Sequence, residues 1–340
     1  MGSNVQRNKI RVKKSSIQAV IEDWPGRIGY YKNGFSVSGA ADHLAHRIAN
    51  ILVGNPPTEA TIEIAGGLFE LEFMGPSVIA ITGGDLKPTL NGNPLRMWRS
   101  IKVEKGDVLK FDIPQGRGFR AYVAFAGGID VPEFLGSKST CTWGAYGGYK
   151  GRSLRAGDEL EIRSPDNQLL KNLEGRKVKE SLIPLFGHRW EVRMVTGPTT
   201  APDYVTDSAM DLVFTHEFRT DRNSDRSAYR LVTPKEIFPK GWARSNGGVA
   251  GLHPSNIVDM GYPHPGGLNV TGDLITILGP DGPCGGGFVI IGTVIYADVW
   301  KVFQAIPGKD VIKFNHITID EAEEERVKQE EMVSESNLLE

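Results

Sequence analysis

Between Thr271 and Thr293 the chain reads TGDLITILGPDGPCGGGFVIIGT. An apolar run, Leu274 to Leu278, enters a loop with glycine at 279, 282, 285, 286 and 287, and a second run, Phe288 to Ile291, leaves it. The pattern reads as a buried hairpin whose only reactive side chains are one acid, Asp281, and one thiol, Cys284. Glycine lets backbone approach a ligand closely and turn successive N–H groups toward one point, so such a loop offers hydrogen-bond donors in place of a nucleophile. A Gly-rich hairpin at the corner of a β-barrel has the same composition, and the residues alone leave both readings open.

Other reactive spacings are sparse. His43 and His46 stand three apart in HLAH, a spacing that can serve a metal, but the third ligand and the general base of a zinc hydrolase are missing nearby, which favours a packing role. Cys284 would need a base that nothing nominates, so a small residue filling a crowded loop is the better reading. There is no GxxxxGK[ST], no GxSxG and no GxGxxG after a strand. Whatever reaction occurs here brings its reactive group from elsewhere.

The elements that must position the loop are mostly strands. The chain has 340 residues, 41 glycines and 20 prolines, a composition of short strands joined by tight turns. EKGDVLKF (104–111), RAGDELEI (155–162) and IPGKDVIKF (306–314) each put a glycine-containing turn before an alternating strand. Helices are few: 41–52 with Asp42 near its start, 206–214 with Thr206 as N-cap, and 297–303. The expected fold is mainly β with a few helices, in two domains at 17–165 and 185–318 joined by a polar linker at 166–184.

The formal net charge is −2, but its distribution is uneven. Arg7, Lys9, Arg11, Lys13 and Lys14 make residues 1–16 a basic tail, and 319–340 form an acidic tail that reads as a solvated helix or as disorder. A near-neutral body argues against nucleic-acid binding. Two distant cysteines, Cys141 and Cys284, suit a reducing compartment. With no apolar run long enough to span a bilayer and no signal-peptide core in MGSNVQRNKIRVKKSS, a cytoplasmic location and no membrane contact are expected.

Several long words resemble one family. IEDWPGRIGYYKNGFSVSGAADHLAHRIANILVGNPPTEATIEI, AITGGDLKPTLNG, RAYVAFAGGIDVPEFLGSKST and GRSLRAGDEL are similar to allophanate hydrolase subunit 2, a family that includes urea carboxylase carboxyltransferase regions and the third subunit of bacterial 5-oxoprolinase. LHPSNI, TGD and LGPDGP in the second half resemble the urea carboxylase branch. Glu22 stands where that family carries Gln, VSGAAD where it carries a PSGPMD-like word, and YPHPGGLN has no counterpart. The resemblance implies two domains with cyclophilin-like β-barrel character. It also implies partners: an allophanate hydrolase subunit 1-type protein, a biotin carboxylase, and a biotin carrier protein, since this chain has no MKM biotinylation word and no ATP-grasp region.

The implied function is carboxyl transfer from carboxybiotin, held on a separate carrier, to the nitrogen of urea or a related small amide or guanidine. The cofactor brings the base, and the protein orients reactants and stabilises oxyanions through backbone N–H groups. Gly282, Gly285, Gly286 and Gly287 are the implied biotin platform. Asp273 and Asp281 are candidate acceptors for urea N–H groups, and His253 and Asn256 candidate donors to its carbonyl or to the ureido ring. Asn223, Arg226 and Arg230 match polar positions of the family, where an arginine fork suits a carboxylate. Two alternatives stand beside this reading: a component of an ATP-dependent 5-oxoprolinase, and a regulator that binds a kinase-inhibitor homologue.

Overall fold

The computed structural model describes residues 6–165, 167–244 and 248–340, and the chain divides into two compact units. The first holds the residues up to Ile28 together with Ser38–Phe186 and Glu331–Glu340; the second holds Gly29–Val37 and Gly187–Glu330.

The first unit has twelve strands among its described residues: β1 (Gln6–Lys14), β2 (Gln18–Glu22), β3 (Thr61–Ala65), β4 (Glu70–Phe73), β5 (Ser77–Gly83), β6 (Thr89–Leu90), β7 (Asn93–Pro94), β8 (Ser100–Val103), β9 (Val108–Lys110), β10 (Arg120–Phe125), β11 (Ile129–Asp130) and β12 (Glu159–Ser164). They form two antiparallel sheets in the orders β11-β12-β1-β4-β9-β6-β7 and β2-β3-β10-β5-β8. Strand alternation makes the core: Ala19, Ile21, Ile62, Ile64, Ile79, Ile81, Val123 and Phe125 of one sheet join Ile10, Val12, Leu71, Phe73, Leu109 and Ile162 of the other in one buried cluster. Helix α1 (His43–Leu52) is buried along its whole length, and Asp42 caps it by accepting from Ala45 N at 2.8 Å.

The basic tail expected at 1–16 is instead β1 from Gln6 onward. Ile10 and Val12 point inward while Arg7, Lys9, Arg11 and Lys13 face out onto Glu161, Glu159 and Glu72 of the flanking strands. Period-two alternation plus cross-strand pairing therefore builds a strand out of a basic run. The segment expected as a linker carries α2 (Asn167–Leu173), with Leu170 and Leu173 buried and Ser100 Oγ donating to Leu173 O at 2.5 Å. It belongs to the first unit, and the chain passes to the second after Phe186. Residues 1–5 and Asp166 of those two segments lie outside the described residues.

In the second unit β13 (Arg189–Thr196), β14 (Glu217–Arg219), β15 (Ala228–Arg230), β16 (Asn256–Gly261), β17 (Gly267–Thr271), β18 (Leu274–Leu278), β19 (Gly286–Val294) and β20 (Val311–His316) follow the order β14-β20-β13-β19-β17-β18-β15, with β16 added on β19. The two ends of this path meet at a single bridge, Thr220 with Leu231, rather than along a ladder, so no fully bonded barrel forms among the described strands. Helix α3 (Asp207–Thr215) is capped by Thr206, as expected, and α4 (Val299–Gln304) follows a short 3-10 turn. The three repeated turns place Gly106, Gly157 and Gly308 at positive φ two or three residues before β9, β12 and β20.

The acidic end is α5 (Ile319–Met332), without a buried residue, followed by α6 (Glu335–Leu338), whose Leu338 is fully buried in the first unit. No helix among the described residues is long and apolar enough to cross a membrane.

Candidate active site

The glycine loop is not a hairpin turn. Strands β18 and β19 do not pair with each other; both pair antiparallel with β17, on opposite sides, so they run in the same direction. Residues 279–285 are therefore a short crossover that carries the chain back past β17. Its entrance lies against Arg226 and Ser227. Its exit lies beside Asn256, which faces Phe288, and Ser255, whose carbonyl accepts from Val289 N at 2.8 Å.

At the entrance Gly279 N donates to Ser227 O at 2.9 Å and Asp281 N to Arg226 O at 3.2 Å. Arg226 clasps the Asp281 carboxylate with Nε at 2.7 Å and Nη2 at 3.1 Å, and the two side chains are 1% and 2% exposed. These charges neutralise each other, in a strut that fixes the first half of the loop. The glycines here answer to packing: a Cβ on Gly279 would stand 2.0 Å from Arg226 O, and one on Gly282 2.1 Å from His264 Cε1.

The second half is held by its carbonyls. Ser36 Oγ donates to Gly282 O at 2.8 Å, Tyr262 N to Gly285 O at 3.1 Å, and Tyr262 Oη to Gly286 O at 2.9 Å. The ring nitrogens of His264 lie 3.0 Å from Gly279 O and 2.9 Å from Pro283 O, with the Tyr31 ring packed on the imidazole. The N–H groups of Cys284 and Gly285, by contrast, meet no acceptor among the described residues. Gly285 is exposed, its φ is not in the left-handed region, and a Cβ there would touch nothing within 4 Å. Gly287 is different: φ is +107°, which restricts the position to glycine. Cys284 is half-buried, 3.7 Å from Ser36 Oγ, and burial pushes its thiol above the usual range, away from the thiolate a nucleophile needs.

A second polar cluster stands at the β17–β18 turn. Trp242 Nε1 donates to Asp273 Oδ1 at 2.9 Å, and His253 Nε2 lies 3.4 Å from the same oxygen. Ser255 N donates to His253 Nδ1 at 3.2 Å, so that nitrogen carries the lone pair and Nε2 carries the proton that faces Asp273. Ser255 Oγ, 2.9 Å from Nδ1, also accepts from Gly272 N at 3.2 Å, tying the histidine to the turn. Asp273 and Gly279 bracket β18, which at ~3.3 Å per residue separates their Cα atoms by about 20 Å.

The predicted residues thus fall into groups. Arg226 and Asp281 sit at the entrance of the crossover, while His253, Asn256 and Asp273 sit near its exit. Asn223 and Arg230 join neither group: Asn223 is bonded to Asp221 Oδ1 through N and Nδ2, and Arg230 donates to Asn223 O, in the loop between β14 and β15. His46, the other metal candidate, is fully buried with Nδ1 on Thr61 Oγ1 at 2.9 Å and Nε2 facing Asn50 Nδ2 at 3.4 Å. Sequence reasoning missed Trp242, Tyr31, Ser36, Tyr262 and His264. The only signal for the last two was that YPHPGG had no counterpart in the resembled family.

A model of the carboxyltransferase domain, subdomain A and B, matches residues 33–316. The chain belongs to this carboxyltransferase family. Urea amidolyase of Saccharomyces cerevisiae is 40% identical over 298 residues, 86% of this chain and 16% of the yeast protein. A putative urea carboxylase of Emericella nidulans is 38% identical over 90% of this chain and 24% of its own length. A 5-oxoprolinase subunit of Escherichia coli is 29% identical, covering 92% of this chain and 93% of that protein. In space, the Kluyveromyces lactis urea carboxylase superposes with a TM-score of 0.88 at 35% identity, over 98% of this chain and 30% of that one. The chain therefore spans about a sixth to a third of the fungal proteins it matches.

Proposed function

We propose that this chain is the carboxyltransferase component of a biotin-dependent carboxylase, acting on the nitrogen of urea or of a related small amide or guanidine. One observation carries the reading: at Gly285 neither packing nor φ calls for glycine, yet the residue is exposed beside two N–H groups that have no acceptor among the described residues. A backbone left bare and donor-out fits a flat, oxygen-bearing ureido ring. When bound, carboxybiotin supplies the carboxyl group and the base for the substrate nitrogen.

The residues of this chain then orient and stabilise. In this reading the Cys284 and Gly285 N–H groups donate to an oxyanion, and the first costs little reorganisation because the carbonyl of its own peptide unit, Pro283 O, is already held by His264. Asp273, with Oδ1 held by Trp242, offers Oδ2 to substrate N–H groups, and His253 and Asn256 complete a polar wall at the crossover exit. Arg226 and Asp281 position the loop without touching substrate. A biotin carboxylase, a biotin carrier and a subunit 1-type protein are the partners this role requires. The urea branch is favoured over a 5-oxoprolinase by identity, 40% against 29%.

The test is reconstitution of the chain with those partners, assayed for bicarbonate- and ATP-dependent carboxylation of urea and of guanidine, with avidin as the control. Avidin-sensitive turnover supports the reading. Turnover of 5-oxoproline that avidin leaves untouched would replace it with the second one.

A further inference from the structure

The first unit carries a cavity of about 500 Å³, within the size range of small-molecule sites. Its wall comes from four stretches of the chain: residues 83–85 at the end of β5, residues 95–98, Arg117, and Ile183–Phe186. Gly84 brings two of these together. Gly84 N donates to Arg120 O at 2.6 Å and Asp85 N to Arg117 O at 2.7 Å, an approach so close that a Cβ on Gly84 would stand 2.8 Å from Gly118 C. The wall is otherwise apolar and aromatic: the rings of Trp98 and Phe186 lie 6.4 Å apart, Met97 is half-buried, and Leu185 stands at the rim 93% exposed. Water held against such a surface is released when an apolar body covers it. Trp98 also has a φ of 62°, a left-handed conformation that bulky side chains rarely adopt. Two backbone hydrogen bonds keep it there, Trp98 N to Ile81 O at 2.8 Å and Val178 N to Trp98 O at 3.1 Å. Strain of this kind concentrates where a structure grips a ligand.

Of the lining side chains two are charged, and they differ. Asp85 is already paired, since Lys87 donates to it through Nζ at 2.9 Å and through N at 3.0 Å. Arg117 makes no side-chain hydrogen bond or ion pair among the described residues. Its guanidinium therefore offers a two-pronged donor at the edge of an apolar slot. We infer that this cavity is a ligand site for a small amphipathic carboxylate: a flat apolar body against Trp98, Met97 and Phe186, with its carboxylate on Arg117. Neither half of such a ligand suffices. An uncharged apolar molecule would cover the guanidinium and give it no partner, and a bare inorganic anion would leave the aromatic wall wet. The site stands whether or not the chain transfers carboxyl groups.

Isothermal titration of the full chain with naphthalene-1-acetate, and with its uncharged amide, tests the assignment. The acid should bind saturably at one equivalent, and the amide on the order of tenfold more weakly, the worth of one charge-assisted hydrogen bond at an exposed site. Arg117→Gln should bring the acid down to the affinity of the amide and leave the amide unchanged, while Met97→Glu should abolish binding of both. Neither position is buried, so melting temperatures within about 2 °C of the parent verify that both variants fold. Absence of saturable binding by the parent would overturn the site. So would equal affinity for acid and amide, or full affinity for the acid in either variant. Pairing of chains in light scattering that Leu185→Asp dissolves would make this face an interface between copies and overturn the ligand site as well. Should Met97→Glu melt early, the comparison of acid and amide in Arg117→Gln decides alone.

Discussion

Asp281→Asn separates a positioning role from a chemical one. The side chain is 2% exposed and receives two hydrogen bonds from Arg226, itself 1% exposed. Asparagine keeps one oxygen acceptor but no charge, so the buried guanidinium loses the carboxylate that clasps it. Breaking a buried pair from one side costs about 3–5 kcal/mol, and the retained oxygen puts this variant near the lower end. At about 2–4 °C per kcal/mol for a unit of this size, the melting temperature should fall by about 6–12 °C.

The double variant Arg226→Met, Asp281→Leu removes both charges at similar volume and should recover most of that loss. Thermal unfolding followed by circular dichroism measures both effects, with carboxyl transfer assayed well below the melting range. An Asp281→Asn protein that melts within about 2 °C of the parent but transfers no carboxyl group would refute the strut and make Asp281 a substrate ligand.

Gly285→Ala should leave the melting temperature within about 1 °C, since its Cβ meets nothing, while carboxyl transfer falls; Gly282→Ala, facing His264 at 2.1 Å, should lose both, and paired melting and turnover curves distinguish them. Asp273→Asn turns the oxygen that Trp242 does not hold into a donor, which in the proposed role would face urea N–H groups. A buried mismatch costs about 1–3 kcal/mol, but at 42% exposure water relieves part of it, so kcat/KM for urea should drop about 5- to 10-fold. His46 is held neutral by burial with its pKa lowered to about 3, so below about pH 6.5 the unfolded chain takes up a proton that the folded one refuses. Stability should therefore fall as pH drops from about 6.5 toward 3, by about 2 kcal/mol at pH 5, and urea midpoints at pH 7 and 5 should show His46→Gln with a shallower slope.

Local signals were legible in the sequence. Thr206 caps the helix it was assigned to, and Asp42, expected near the start of its helix as a dipole partner, is that helix's N-cap, because a cap is an interaction between residues three apart. The three glycine turns lead into strands for the same reason. What failed was non-local. NKIRVKK alternates perfectly well, but its acidic partners Glu72, Glu159 and Glu161 lie far along the chain, so the run read as a charged tail. Leu274–Leu278 and Phe288–Ile291 read as a hairpin because only seven residues separate β18 from β19; that β17 lies between them is a property of the sheet, invisible in the two runs themselves.

The same division runs through the glycines, and it decides which of them bears on function. A cluster of five in one loop suggests a single cause, but they have at least three. Gly279 and Gly282 are small because Arg226 O and His264 occupy the space a side chain would take, and Gly287 is glycine because φ is +107°. Each of those needs is met inside the unit and would persist if the protein bound nothing. Gly285 has no such need: its conformation is ordinary and its surroundings are open. A side chain at that point would cost the folded chain little, so Gly285→Ala tests the proposed platform without disturbing the fold, and an unchanged rate of carboxyl transfer in that variant would remove Gly285 from the site.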